Sequence, residues 1–419
     1  MKRNKICMVL LSALLLLSML LQASGCAQKA QAADLMAGIE ANIPAELPEV
    51  SRESAAKAAD FAVRLFRESA SEGKNTLVSP LSVLAALSMT ANGARGETLA
   101  QMEQVLGMDT EALNTFFRSY LNALSEDKDA KLKLANSIWF TADPSFKVIR
   151  EFLQTNADYY GADAYKAPFD DTTLSDINNW VKDRTDGMVP EILDRIPGNA
   201  VMYLVNALAF EAEWAVVYDR DHVRKGTFTK EDGTGQAADF MYSTETAYLS
   251  DGQAEGFIKY YNGKKYAFAA LLPEKGLPLG EYMASLTGEA LTKMLADPED
   301  ESVAAAIPRF ETQYSTEMSE VLTDMGMPIA FDQANADFSG LCEVGPWENV
   351  YINRVLHRTF ISVAEQGTKA GAATVVEMGK RGAPMPAKEV YLDRPFVYML
   401  IDTETNIPFF IGAMYDLGA

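Results

Sequence analysis

The chain has 419 residues, 58 acidic against 37 basic, for a formal net charge of −21, with only two histidines and three cysteines. That balance argues against a nucleic-acid partner and against adhesion to anionic membrane surfaces. Two histidines leave little material for a histidine triad or a zinc site, and no His-Glu-x-x-His, Gly-x-Ser-x-Gly or phosphate-loop pattern occurs. No metal and no cofactor are therefore expected.

At the start, Lys2, Arg3 and Lys5 precede an apolar run from Ile6 to Leu21 that closes in Ala23-Ser24-Gly25-Cys26. A basic head, a short apolar core and small residues make an export signal rather than a membrane span. The cysteine after small residues resembles a bacterial lipobox, although Ala23 stands where leucine is usual. That likeness implies removal of residues 1–25, acylation of Cys26, and an extracytoplasmic protein held to a membrane by its lipid; plain secretion is the alternative. Cys7 leaves with the signal, so only Cys342 remains in the folded part and no intramolecular disulfide can form. It reads as a packed small hydrophobe. Residues 26–51 are rich in Ala, Glu and Pro without a sustained apolar stripe and read as a tether. From 52 to 419 there is no second linker and no repeat, so we expect one domain.

Within that domain an amphipathic helix begins near Glu53 and runs through Phe61–Phe66. Ser79-Pro80 followed by Leu81–Leu87 gives an N-cap serine, proline at the first helical position and a buried helix. Gly93–Thr98 breaks it, and another helix runs to Leu106-Gly107. Leu132–Phe140 reads as a strand and Ile177–Val181 as helix. Val201–Phe210 reads as a central strand whose one polar residue, Asn206, is a buried amide that needs partners. Tyr266–Pro273 and Val303–Phe310 are strand-like, and Thr316–Met325 reads as a helix ended by Gly326. Helices precede strands with antiparallel-style spacing, an α+β plan.

The residues from Glu365 to Pro395 are unusual. Thr368, Ala370, Ala372, Thr374, Val376 and Met378 share one face at period two and carry no charge, while Lys369 and Glu377 fall on the other. Gly and Ala are depleted from strands. The segment can bury one face in a sheet but has little local drive to form a strand, which suits a conditional strand; a small-residue surface linker is the bland alternative. Lys380-Arg381 then meets Gly382-Ala383-Pro384-Met385-Pro386, extended and exposed by composition, where trypsin-like proteases cut. Glu389–Leu392, Pro395–Ile401 and Phe409–Met414 read as strands, the last apolar on both faces.

Other chemistry is sparse. Ser54-Ala55-Ala56-Lys57 matches the Ser-x-x-Lys of penicillin-binding proteins and serine β-lactamases, placing lysine one helical turn from serine. The pattern is short, and no Lys-Thr-Gly completes it. His357 reads as a hydrogen-bonded structural residue and His222 as part of a solvated loop.

Taken together, the residues after the tether resemble the serpins, the serine protease inhibitors of that fold. Asn75–Ser88 looks like the family's Asn-x-x-x-Ser-Pro-x-Ser helix; Asn136-Ser137-Ile138-Trp139, Val205-Asn206-Ala207 with Phe210 and Trp214, and Pro308-Arg309-Phe310 follow in order. Ala336–Gly340, His357, the hinge Glu365-x-Gly367-Thr368-x-Ala370-x-Ala372-Ala373-Thr374, Pro395-Phe396 and Phe410-Ile411-Gly412 complete the likeness. Ala413 stands where the family usually has arginine. The resemblance implies three β-sheets with surrounding helices and an exposed reactive loop at about 365–390. It further implies a protease inhibitor rather than an enzyme, acting as a suicide substrate whose cleaved loop inserts into the central sheet while the protease remains acylated. By position, Ser79, Ser82, Asn206 and His357 resemble the polar shutter of that sheet, and Trp214 resembles part of the breach where insertion starts. The family register puts the scissile bond at Arg381-Gly382, favouring trypsin-like targets. Met378, Lys380 and the Gly382-Ala383 bond are rivals, the last suited to elastase- or subtilisin-like enzymes. A serpin fold without inhibition, serving binding or adhesion, is the alternative function. The helix around Thr110–Leu124 carries Arg118 as its only basic residue, so no heparin-type site is expected there, and a monomer is expected.

Overall fold

A computed structural model describes residues 32–125, 130–197, 200–343, 349–368 and 386–418. Its helices are α1 (Arg52–Ser69), α2 (Pro80–Ala91), α3 (Gly96–Leu106), α4 (Thr110–Ser125), α5 (Arg150–Tyr160), α6 (Asp171–Arg184), α7 (Leu279–Ser285), α8 (Gly288–Ala296) and α9 (Ser319–Asp324). The strands, in chain order, are β1 (Ala33–Asp34), β2 (Thr76–Val78), β3 (Ala130–Thr141), β4 (Lys147–Val148), β5 (Asp163–Ala167) and β6 (Met202–Glu213). Next come β7 (Val223–Thr229), β8 (Gly235–Ser250), β9 (Ala254–Tyr260), β10 (Tyr266–Pro273), β11 (Glu299–Pro308) and β12 (Phe310–Glu317). The last are β13 (Cys342–Glu343), β14 (Leu356–Ala364), β15 (Gly367–Thr368), β16 (Lys388–Tyr391), β17 (Phe396–Asp402) and β18 (Ile407–Met414).

The central sheet has the order β1-β5-β3-β6-β15-β14-β12. A second array runs β16-β11-β8-β9-β10-β17-β18-β2, with β7 on β8. Long β8 serves both of its halves: its residues 235–241 pair with β7 and its residues 247–250 with β9. The two halves and the central sheet are the three sheets expected, and the class is α+β. Not every pairing is antiparallel, since β3 runs parallel to β5 and β11 parallel to β16.

Burial explains the apolar runs. Both faces of β6 are covered: Leu204, Leu208 and Phe210 join the main core, while Tyr203, Val205 and Ala207 pack with Ile177 and Val181 of α6. A strand sandwiched in this way reads as a nearly continuous hydrophobic run. Every residue of α2 is buried, as a helix apolar on all sides must be. The buried strands β10, β17 and β18 complete the core behind it.

Three expectations change. Val303–Phe310 is not one strand, because the chain passes from β11 in one array to β12 in the central sheet at Arg309. Pro308 has no N–H to continue a ladder, and the Arg309 N–H instead donates to the Asp239 carbonyl at 2.8 Å. The helix read from Thr316 starts only at Ser319, since Thr316 and Glu317 still pair with His357 and Leu356. The Glu317 carboxylate then accepts from the Ser319 N–H at 2.9 Å, setting the helix start. Finally, residues 32–51, read as part of a free tether, lie along the domain. β1 pairs with β5, the Asn42 N–H donates to Asp158 at 2.8 Å, and Gln154 donates to the Glu40 carbonyl at 2.8 Å. Leu35, Met36, Ile39 and Val50 pack on the core. Their irregular spacing hides an apolar face that no helix or strand period reveals.

Candidate functional site

The residues of the hinge meet at one end of the central sheet. β14 ends at Ala364, the chain turns through Glu365-Gln366, and Gly367–Thr368 return as β15 between β14 and β6. Trp214 holds this turn from beneath. Its indole N–H donates to the Ala364 carbonyl at 2.8 Å, and its backbone N–H donates to the Gln366 carbonyl at 2.9 Å. The Tyr218 N–H donates to the Glu365 carbonyl at 3.0 Å, and the Glu365 carboxylate faces Arg309 at 3.7 Å. Thr368 points into the core, 2% exposed, with its hydroxyl 2.5 Å from that of Tyr261. Tyr261 stacks on Trp214 at 4.4 Å and 8°. Its burial pushes the phenol well above its ordinary pKa, so it stays neutral and can donate to the threonine.

Behind the stack lies Lys259, with a side chain only 2% exposed and its ammonium 3.0 Å from the Glu245 carboxylate. It also donates to the Val216 carbonyl at 3.2 Å and lies over the rings of Trp214 and Tyr218, 5.4 and 4.4 Å from their centroids. A buried cation is tolerated only when paired and hydrogen-bonded in this way.

A second polar cluster lies midway down the sheet. The Ser79 N–H donates to His357 Nε2 at 3.0 Å. The Ser82 hydroxyl donates to the Asn206 amide oxygen, and the Asn206 amide donates to that of Asn136. The Thr359 hydroxyl donates to the Leu77 carbonyl at 2.8 Å. Burial holds the His357 imidazole down to a pKa of about 4, so it is neutral near pH 7 and its Nε2 is free to accept. Ser79 Oγ and Asn136 Nδ2 are buried without a hydrogen-bond partner among the described residues. Ser79 does precede α2 as its N-cap, but its hydroxyl makes no capping bond, while its backbone N–H is tied across to His357. Among the described residues, no ladder joins β6 directly to β14; on the edges that face each other, both pair with the two residues of β15 between them.

The structure thus brings Glu365, Gly367, Thr368 and Trp214 into one cluster and Ser79, Ser82, Asn206 and His357 into another. Ala370, Ala372, Ala373, Thr374, Arg381, Gly382 and Cys26 lie outside the described residues. Lys259, Glu245 and Tyr261 escaped the sequence reading. The one signal was a lone lysine inside the apolar run Phe257–Tyr261. Ser54 and Lys57 are not joined as a catalytic pair: Ser54 is bonded to Ser51 at 2.9 Å and Lys57 to Glu53 at 2.9 Å. Cys342 is buried and its thiol is pushed up to about 12, the behaviour of a packed group rather than a nucleophile.

Comparison with known proteins agrees with this geometry. Residues 56–417 match the family model described as serpin (serine protease inhibitor). An uncharacterised serpin-like protein of Thermococcus kodakarensis is 30% identical over 364 residues, covering 84% of this chain and 83% of the relative. Human serpin B10 is 27% identical, covering 84% and 97%. Among solved structures, the native state of the thermophilic serpin tengpin superposes with a TM-score of 0.88 at 44% identity, covering 92% of this chain and all of that one. The latent state of the same protein gives 0.78 at 40% identity, covering 89% and 100%. The chain belongs to the serpin family, whose members are generally protease inhibitors rather than enzymes.

Proposed function

We propose that the protein is an exported, lipid-anchored inhibitor that traps trypsin-like serine proteases by inserting its cleaved loop into the central sheet. The observation that carries this reading is β15: Gly367 and Thr368 of the hinge already pair on both sides, between two strands not otherwise joined among the described residues. Extending that register is simple arithmetic. Thr368 pairs with Val363 and Ala212, so numbers across the seam sum to 731 on β14 and 580 on β6. Ala370 then falls opposite Ile361 and Phe210, Ala372 opposite Thr359 and Leu208, and Thr374 opposite His357 and Asn206. Each of these pairs shares the inward face that Thr368 occupies. In that register the small, uncharged face would meet the core, with Thr374 beside the polar cluster whose Ser79 Oγ and Asn136 Nδ2 have no partner among the described residues. About ten newly paired residues at ~1 kcal/mol net each give on the order of ten kcal/mol. That is comparable with the ~5–15 kcal/mol that holds a protease domain folded.

Equimolar trypsin and the unlipidated domain, run on a denaturing gel, test the proposal. A covalent band at the summed mass, with a released peptide beginning at Gly382, is the expected result. Arg381→Ala should abolish the band with trypsin; a variant that still traps trypsin would exclude Arg381-Gly382 as the reactive bond. Cleavage without a complex by trypsin, elastase and subtilisin alike would exclude inhibition of these enzymes.

A further inference from the structure

The docked N-terminal segment fixes how the domain stands on its anchor. β1 runs antiparallel to β5, and the sheet registers link Ala33 to Lys166, Lys166 to Phe140, and Phe140 to Met202. These residues lie on one level, at the end of the sheet remote from the hinge, which pairs at Ala212 and Glu213. The step from Met202 to Ala212 is ten residues, or roughly 33 Å of strand. Ala32, the first described residue, thus lies at the pole opposite the reactive end. Cys26 is six residues further back, and even a fully extended chain spans only about 20 Å over that length.

An insertion that keeps the register of Thr368 on β6 would bring Met378 opposite Met202, and so to the level of Ala33. Arg381 lies three residues beyond, roughly 10 Å further down the strand direction. From this we propose that the anchored protein presents its reactive pole away from the bilayer, and that loop insertion delivers the captured protease to the bilayer surface beside the anchor. The occupant of the anchor-side surface is the lipid headgroup layer before capture and the acylated protease afterwards. A protease of about 230 residues has a radius of gyration of roughly 17 Å. It is wider than the gap that the short connection leaves, so it must sit against the headgroups. The second half of the proposal rests on the inhibitor reading, whereas the first half does not.

The test uses the full lipidated chain reconstituted in phosphatidylcholine vesicles carrying an acceptor dye on a few headgroups. A donor is placed at Pro144→Cys, in the exposed turn just past the end of β3, or at Val216→Cys, 63% exposed beside the hinge. Burial of Cys342 keeps labelling selective. Energy transfer is expected to be several-fold greater from 144 than from 216. Equal or reversed transfer, or a chain that carries no acyl group and fails to float with the vesicles, overturns the pose. Donor-labelled trypsin is then added. Strong transfer from the covalent complex to the vesicle dye supports delivery to the bilayer. A covalent complex without transfer overturns that step, and the absence of a covalent complex overturns the reading as a trypsin inhibitor while leaving the pose standing.

Discussion

Gly367 passes so close to Ala212 that no side chain fits between them. A Cβ there would run into the Ala212 carbonyl oxygen and stand 2.9 Å from Glu213 Cα, and the backbone φ of +153° is one that L side chains rarely adopt. Both restrictions arise where the hinge first joins the sheet. A glycine at this position is thus a requirement of β15 rather than of the loop beyond it.

Gly367→Val should expel the hinge from between β6 and β14 while leaving the core intact. We expect cleavage by trypsin at an unchanged rate and a yield of covalent complex at least tenfold lower, read on a denaturing gel. An unchanged yield would show that pairing of Gly367 is not on the route to insertion.

Parity gives a sharper test of the register. Lys369 is charged in the natural sequence and falls on the face opposite to Thr368, so Lys369→Glu should leave the yield of complex within twofold. Ala370→Lys moves the charge by one residue, to the inward position opposite Ile361 and Phe210, both buried. An unpaired cation there faces a desolvation cost of several kcal/mol, enough to turn the inhibitor into a substrate. Equal behaviour of the two variants would exclude the extended register.

His357 makes stability depend on pH. Its folded pKa of about 4 lies below the ordinary 6.5, so between these values the unfolded chain binds the extra proton. The stabilisation is fully present above pH 6.5, is lost as pH falls towards 4, and is level below that. Over this window the loss amounts to about 3 kcal/mol at ~1.4 kcal/mol per pH unit. Burial acts in the opposite sense on Asp402, whose carboxyl is raised, so the histidine contribution must be isolated by difference. Urea midpoints of the natural protein and His357→Gln at pH 7.5, 5.5 and 4.5 provide it. The natural protein should lose more stability than the variant over that range, and parallel curves would mean that His357 does not titrate there.

Much of this was legible in the sequence because it rests on local rules. Apolar runs mark β6, β10, β17 and β18, and period two puts Thr368, which is buried, on one face with Ala370, Ala372 and Thr374, which lie outside the described residues. The polar cluster was legible only by resemblance, since nothing local says that Ser82 and Asn206, far apart in the chain, share a bond. The passage from β11 to β12 was misread because an apolar run does not record a change of sheet. The docking of residues 32–51 was missed because the path of this segment is set by distant partners, Glu40 and Asn42 being tied to α5 and Ala33–Asp34 to β5. Lys259 was invisible for a related reason: its tolerance depends on Glu245, brought near by the pairing of β8 with β9.

That last pair yields the most demanding prediction. With the Lys259 ammonium gone, the Glu245 carboxylate keeps its bond from the Ser243 hydroxyl at 2.6 Å but loses its one charged partner among the described residues. Removing one member of a buried ion pair costs ~3–5 kcal/mol, whereas replacing both with neutral groups of similar shape is often close to neutral. Lys259→Met should therefore lower the urea-derived stability by an amount in that range, and the double variant Lys259→Met with Glu245→Gln should recover most of it. The cation also stands over Trp214 and Tyr218, which grip the hinge, so the rings lose a contact that the glutamine does not restore. The double variant should then be stable yet form covalent complex with trypsin at lower yield than the natural protein. Full recovery of both stability and yield would mean that Lys259 serves Glu245 alone, and that Trp214 and Tyr218 hold the hinge without it.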